Sequence, residues 1–171
     1  MNLIETVNRA RRGDQSAFTQ LVDKQKADLY RIAFSYVKNQ DDALDIVHET
    51  VYKAFVSIEK LKNPEHFSTW LTRILINCAI NQLRKSKKVL LLTDQETVQA
   101  RAEERDQTDL IDLYTAIDKL SNQHKTVILL KYFRGFKVVE IAEVLGCPVG
   151  TAKTYLHQAL KELRLELKEE Y

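Results

Sequence analysis

A chain of 171 residues is long enough for one ordinary domain or two small ones, and 44% apolar residues provide the cores. Two prolines and four glycines are too few for the many turns of an all-β protein, and a formal charge of +2 does not by itself announce a nucleic-acid binder. The two cysteines, Cys78 and Cys147, share no CxxC pattern and the histidines are isolated, which argues against a disulfide framework or a zinc site; no metal or other cofactor is expected.

In chain order, Leu3, Val7 and Ala10 fit a short helix ending at Gly13. Before it there is no apolar run of signal-peptide length, and no stretch approaches a membrane span, so a cytoplasmic protein with no direct membrane insertion is expected. Phe18, Leu21 and Val22, then Leu29, Ile32, Ala33, Tyr36 and Val37, predict one long amphipathic stretch, with Asn39 to Asp41 breaking it and offering a cap. From Asp42 to Ile58, residues Ala43, Ile46, Val47, Thr50, Val51, Ala54, Phe55 and Ile58 keep three-and-four spacing on one face. The connection LKNPEH follows, since Pro64 forbids a continuous helix. Phe67, Trp70, Leu71, Ile74, Leu75, Cys78, Ala79 and Leu83 then predict a helix finishing in RKSKK.

Residues 89–108 are polar and acid-rich, without a sustained apolar stripe, and are expected to form a flexible linker whose opening tetrad, Val89 to Leu92, docks on a neighbouring surface. Beyond it, Leu110, Leu113, Ile117 and Leu120 predict a helix. Ser121 and Asn122 cap the next, with Val127, Leu129, Leu130 and Phe133 inside and Gly135 at its end. The expected architecture is all-α: two small helical domains, 1–88 and 109–171, joined by the linker.

The stretch EVLGCPVGTAKTYLHQAL ends one helix and starts another at once. Gly146 suits a left-handed closing position, and Pro148 suits the first turn of the second helix. Val149, Ala152, Leu156, Ala159, Leu160 and Leu163 make an inward stripe, leaving Gly150, Thr151, Lys153, Thr154, His157, Gln158 and Lys161 outward. Small residues at the start of that helix would let its backbone approach phosphates, as in a DNA-reading helix-turn-helix. A capped helical hairpin with a solvated face is the plainer alternative.

EIAEVLGCPVGTAKTYLHQALKELR resembles the region-4 helix-turn-helix of extracytoplasmic-function (ECF) sigma factors of bacterial RNA polymerase. DALDIVHETVYKAF is similar to that family's region-2 helix, and FSTWLTRILINCAINQLRKSKK to the segment after it. The three occur in the family's order and cover nearly the whole chain. The resemblance implies a transcription initiation factor without catalysis of its own, with region 2 over 1–88 and region 4 over 109–171.

Residue roles follow from that resemblance. Asp42, Asp45, His48, Glu49 and Tyr52 would meet the clamp coiled coil of core RNA polymerase, whose flap is a further expected partner. Leu44 and His48 depart from the family pattern, which favours Glu and Gln there. Asn77 matches the asparagine assigned to a flipped −10 base, with Asn63 and His66 in the loop of residues 61–67 and Asn81 beside it. Arg73, Arg84, Lys85, Lys87 and Lys88 would neutralise phosphates of the opened strand. Trp70 is either a stacking platform or part of the core. Thr151, Lys153, Thr154, Tyr155, His157 and Gln158 match the −35 reading positions; without arginine among them, readout through phosphates and shape is expected. Linker acids Asp94, Glu96, Glu103, Glu104, Asp106 and Asp109 would mimic nucleic-acid charge. An anti-sigma factor, often membrane-bound in the family, is the implied regulator. A dimeric helix-turn-helix regulator that recruits no polymerase is the competing reading, and an enzyme a distant third, since no catalytic motif is present.

Overall fold

The computed structural model describes residues 2–93 and 108–169, and these form helices joined by short turns, with no strand among them. They divide into two compact units, one built on the helices up to Thr93 and the other on those from Thr108 onward.

The first unit starts with α1 (Leu3–Arg11), whose N-cap Asn2 accepts a hydrogen bond from the Ile4 N–H. Gly13, at φ 97°, turns the chain into α2 (Gln15–Asp23), capped by Asp14. The single stretch expected over Phe18 to Val37 is two helices. Asp23 to Lys26 is an unbroken polar run, so no apolar side chain anchors that turn, and the chain bends at Lys24 and Gln25 before α3 (Lys26–Val37). The bend lets Phe18, Leu21 and Val22 share one core with Leu29, Ile32 and Ala33. Lys38 leaves α3 in the left-handed conformation, and Asn39 caps α4 (Gln40–Ser57) through its Oδ1, 3.0 Å from the Asp42 N.

A short 3-10 turn at Ile58–Lys60 follows, then a second at Pro64–His66 capped by Asn63, whose Oδ1 accepts from the Glu65 N–H at 3.1 Å. The expected connection therefore carries its own turns. Helix α5 (Phe67–Thr93) runs past the RKSKK segment, because Val89 to Leu92 contains nothing that stops a helix. Of the tetrad expected to dock, Val89, Leu91 and Leu92 are exposed. The core lies where α3, α4 and α5 pack together, on Leu29, Ile32, Ile46, Phe67, Leu71 and Leu75. Trp70 is half-buried with its ring 5.9 Å from that of Phe67, so it is packed at the core's edge. Phe55, expected inside, is 48% exposed and meets the edge of Phe18.

The second unit comprises α6 (Thr108–Asp118), α7 (Asn122–Ile128), α8 (Val138–Leu145) and α9 (Val149–Glu169). Ser121 caps α7, as expected, accepting from the His124 N–H at 3.3 Å. The end of α7 loosens into a π turn at Leu129–Phe133 that leaves Phe133 39% exposed rather than inside. Gly135 (φ 64°) then redirects the chain. Glu140 accepts the Lys137 N–H at 2.7 Å at the start of α8. Val127, Leu129, Leu130, Ile141, Ala152 and Ala159 form the core. Lys119 Nζ donates to Glu166 Oε2 at 2.6 Å, tying α9 to the end of α6. His124 Nδ1 lies 2.9 Å from Glu162 Oε1, a contact that becomes an ion pair when the imidazole is protonated.

Candidate functional site

Three polar faces emerge from this packing. The first is on α4, where burial of Ala43, Ile46, Val47, Thr50 and Ala54 turns the opposite face outward. Asp45, His48, Glu49 and Tyr52 are exposed and Asp42 is half-buried, so the structure brings the five expected residues onto one surface. Asp41 and Asp42 also sit in the first turn, where the helix dipole favours acids. Glu49 is partly engaged by Lys53, at 2.8 Å, and this bond raises the Lys53 pKa. Sequence reasoning placed Tyr52 on this face but missed that Phe55 and Val56 join it. Tyr52 is 68% and Val56 58% exposed, and Leu44 and Phe55 flank the acids. The run Ala54, Phe55, Val56 was the available signal, since three consecutive helical residues span about 200° and cannot all face one core.

The second face follows α5. Arg73, Asn77, Asn81, Arg84 and Lys88 recur at three-and-four spacing and are all exposed, with Lys85 and Lys87 beside them. Residues between them, Leu71, Leu75, Ile76, Cys78 and Ala79, are buried and fix the helix's rotation. Asn63 and His66, both exposed, stand on the loop that leads into the first turn of α5. The Asn63 amide oxygen is engaged in capping, which leaves its amino group as the outward donor. Burial raises the Cys78 thiol above its ordinary pKa, so it is a structural group.

The third face is on α9. Gly146 closes α8 in the left-handed conformation (φ 64°), as expected. Pro148 stands one residue before α9, where its carbonyl accepts the Ala152 N–H at 3.1 Å; the expectation of a first-turn position is corrected by that one residue. Gly150, Lys153, Thr154, His157, Gln158 and Lys161 are exposed, and Thr151 is half-buried. Val149, expected in the inward stripe, is 37% exposed. Thr154 donates its hydroxyl to the Gly150 carbonyl at 3.0 Å, which leaves oxygen lone pairs to act as acceptors. Tyr155 is not brought together with this group: it is half-buried against α7, its ring 6.0 Å from that of His124. Arg164 and Lys168, which sequence reasoning did not single out, extend the same exposed face. Their three-and-four spacing from Lys161 was the signal for them.

A buried helical bundle carrying an acidic, partly apolar face and a basic strip, together with a separate helix-turn-helix, is the arrangement of a bipartite promoter-recognition factor. The family model for sigma-70 region 2 matches residues 21–89, and that for sigma-70 region 4 matches residues 110–163. The RNA polymerase sigma factor SigV of Bacillus subtilis is 46% identical over 85% of this chain and 87% of its own length. The chain belongs to the ECF sigma factors of the sigma-70 family. The ECF sigma factor SigW of the same organism is 31% identical over 99% of this chain and 98% of its own.

Among solved structures, the sigma factor RpoE of Bartonella quintana, crystallised with the anti-sigma factor NepR, is 28% identical with a TM-score of 0.77. The match covers 88% of this chain and 96% of that one. CnrH, in complex with the cytosolic domain of CnrY, shares the fold at 24% identity, a TM-score of 0.77 and 99% coverage of both chains. As a sigma factor the protein is a non-enzymatic initiation factor that binds RNA polymerase and promoter DNA. None of the comparisons supports a regulator acting without polymerase. Among the described residues, no helix is long and apolar enough to cross a membrane and no group of acids, histidines and cysteines could hold a metal ion.

Proposed function

We propose that the three faces divide the work of initiation. The α4 face docks on the clamp coiled coil of core polymerase, through Asp42, Asp45, His48, Glu49 and Tyr52. The strip from Arg73 to Lys88, with Asn63 and His66, holds the opened −10 strand, Asn77 pairing with an extruded base. Thr151, Lys153, Thr154, His157 and Gln158 meet the −35 duplex while Tyr155 packs behind them, and the flap is the expected partner of the same unit. Boundaries at 1–88 and 109–171 separate the two functions. The linker acids from Asp94 to Asp106 lie outside the described residues.

The observation that carries this reading is the exposure of acids and apolar groups together on α4. Carboxylates alone would read as a solvated face; carboxylates around Tyr52 and Val56 fit a protein partner with a basic rim and an apolar centre. Regulation by an anti-sigma factor is proposed because RpoE was crystallised with NepR, and attachment of that regulator to a membrane is part of the proposal.

The test is binding to core polymerase. Reversing Asp45 and Glu49 to lysine should weaken association at least tenfold, and Tyr52→Ala should act similarly. Both variants should keep the wild-type melting curve, because none of the three side chains is buried. Unchanged association would overturn the assignment of α4.

A further inference from the structure

The end of α1 carries three arginines that differ in their engagements. Arg9 is held by Asp14, its Nε donating to Oδ2 at 2.9 Å. Arg11 and Arg12 instead line a cavity of about 450 Å3 with Asn8 and Glu59. That volume suits a nucleotide-sized group. Asn8 orients both guanidiniums: Arg11 Nη1 donates to its Oδ1 and Arg12 Nε to its carbonyl oxygen, each at 3.2 Å. A guanidinium carries five N–H donors, so most of theirs stay available. Among the described residues neither arginine forms an ion pair, and Arg11 Nε is shielded from solvent without an acceptor.

Two unpaired guanidiniums and one carboxylate leave a single net positive charge, which fits one phosphate group and disfavours a polyphosphate. Position narrows the source. Helix α1 packs against both 3-10 turns: Ile58–Lys60, which leads into the loop proposed to hold the −10 base, and Pro64–His66, which lies within that loop. Glu59 belongs to the first turn, and Lys60 and Lys62, both exposed, continue the positive charge towards the loop. The cavity therefore shares a lining residue with the turn that leads into the loop.

We propose that Asn8, Arg11 and Arg12 bind a backbone phosphate of the single strand whose base the neighbouring loop holds, so that the first helix takes part in holding the promoter open. The proposal rests on the reading of that loop given above. It concerns a contact outside the matched region-2 segment, which begins at residue 21.

The test uses holoenzyme assembled from core polymerase and the full chain, with forked promoter DNA whose −10 non-template strand is unpaired. Arg11→Ala with Arg12→Ala should lower affinity for the fork about tenfold and reduce the salt slope by roughly 0.7, the amount expected for one single-strand phosphate. Affinity for core polymerase without DNA should not change. Methylphosphonate, a neutral replacement, is then placed at one phosphate at a time. At a single position it should weaken the wild type and leave the variant unaffected, because both changes remove the same contact. Should the double alanine variant unfold, Arg11→Gln with Arg12→Gln keeps most of the packing and carries the same test. Equal sensitivity of wild type and variant at every phosphate would overturn the proposal, as would loss of polymerase binding without DNA, which would assign the cavity to a protein partner. If wild-type holoenzyme bound the fork no better than core polymerase alone, the loop reading itself would fall, and this inference with it.

Discussion

At the scale of single residues, short-range chemistry governs both stability and what could be read in advance. Asp14 caps α2 through Oδ1, 3.1 Å from the Ala17 N, and its other oxygen receives Arg9. The Ala17 N–H and then the Arg9 guanidinium hold its carboxyl below the usual carboxylate value. A depressed acid contributes stability above its unfolded pKa and loses it as pH falls through its folded one. Asp14→Asn should therefore lower Tm at pH 7, and the gap from wild type should begin to narrow as pH falls past the ordinary carboxylate value of roughly 4 and close only below the lower folded-state pKa, where both side chains are neutral. A gap that persisted at low pH would show that charge is not what Asp14 contributes. Caps such as Asn39 and Ser121, and the left-handed Gly146, were legible because each acts within three or four residues of itself. Tyr155 was not, since its half-burial depends on His124, thirty-one positions away in the chain. Nor was the division of labour among Arg9, Arg11 and Arg12, which turns on where Asp14 and Glu59 come to lie.

At the scale of elements, helix rotation decides which residues a partner can meet. Periodicity gave that rotation for α4, α5 and α9 apart from Phe55 and Val149, because each buries a wide apolar stripe against at least two neighbours. It failed where the pattern contained no punctuation. The bend at Lys24 and Gln25 carries neither glycine nor proline, and the run of α5 through Val89 to Leu92 accords with leucine's high helix propensity. Gly150 offers a test confined to α9. A Cβ built there meets nothing within 4 Å, and the residue lies in the helix's first turn, so Gly150→Ala should raise stability by up to about 1 kcal/mol. Gly150→Glu should leave the fold intact, yet weaken binding to −35 duplex DNA by an order of magnitude or more, since it sets bulk and negative charge where phosphates approach. Full binding by Gly150→Glu would move the DNA contact away from the start of α9.

At the scale of the whole molecule, a formal charge of +2 conceals strong segregation. Acids gather on α4, while basic side chains form strips on α5 and along α9 from Lys153 to Lys168. Composition alone could not reveal this, because opposite charges on separate faces cancel in the sum yet act separately on separate partners. The order of the three motifs was legible from sequence, and it matches the two family segments found at residues 21–89 and 110–163. A factor built this way should have no activity alone and should redirect a polymerase that cannot choose promoters. Reconstituted transcription measures that most directly: core RNA polymerase, a pool of promoter fragments, and this protein present or absent. The account predicts specific start sites only when the protein is added, lost again when Asp45 and Glu49 are reversed to lysine. Identical transcripts with and without the protein, together with no measurable polymerase binding, would contradict it.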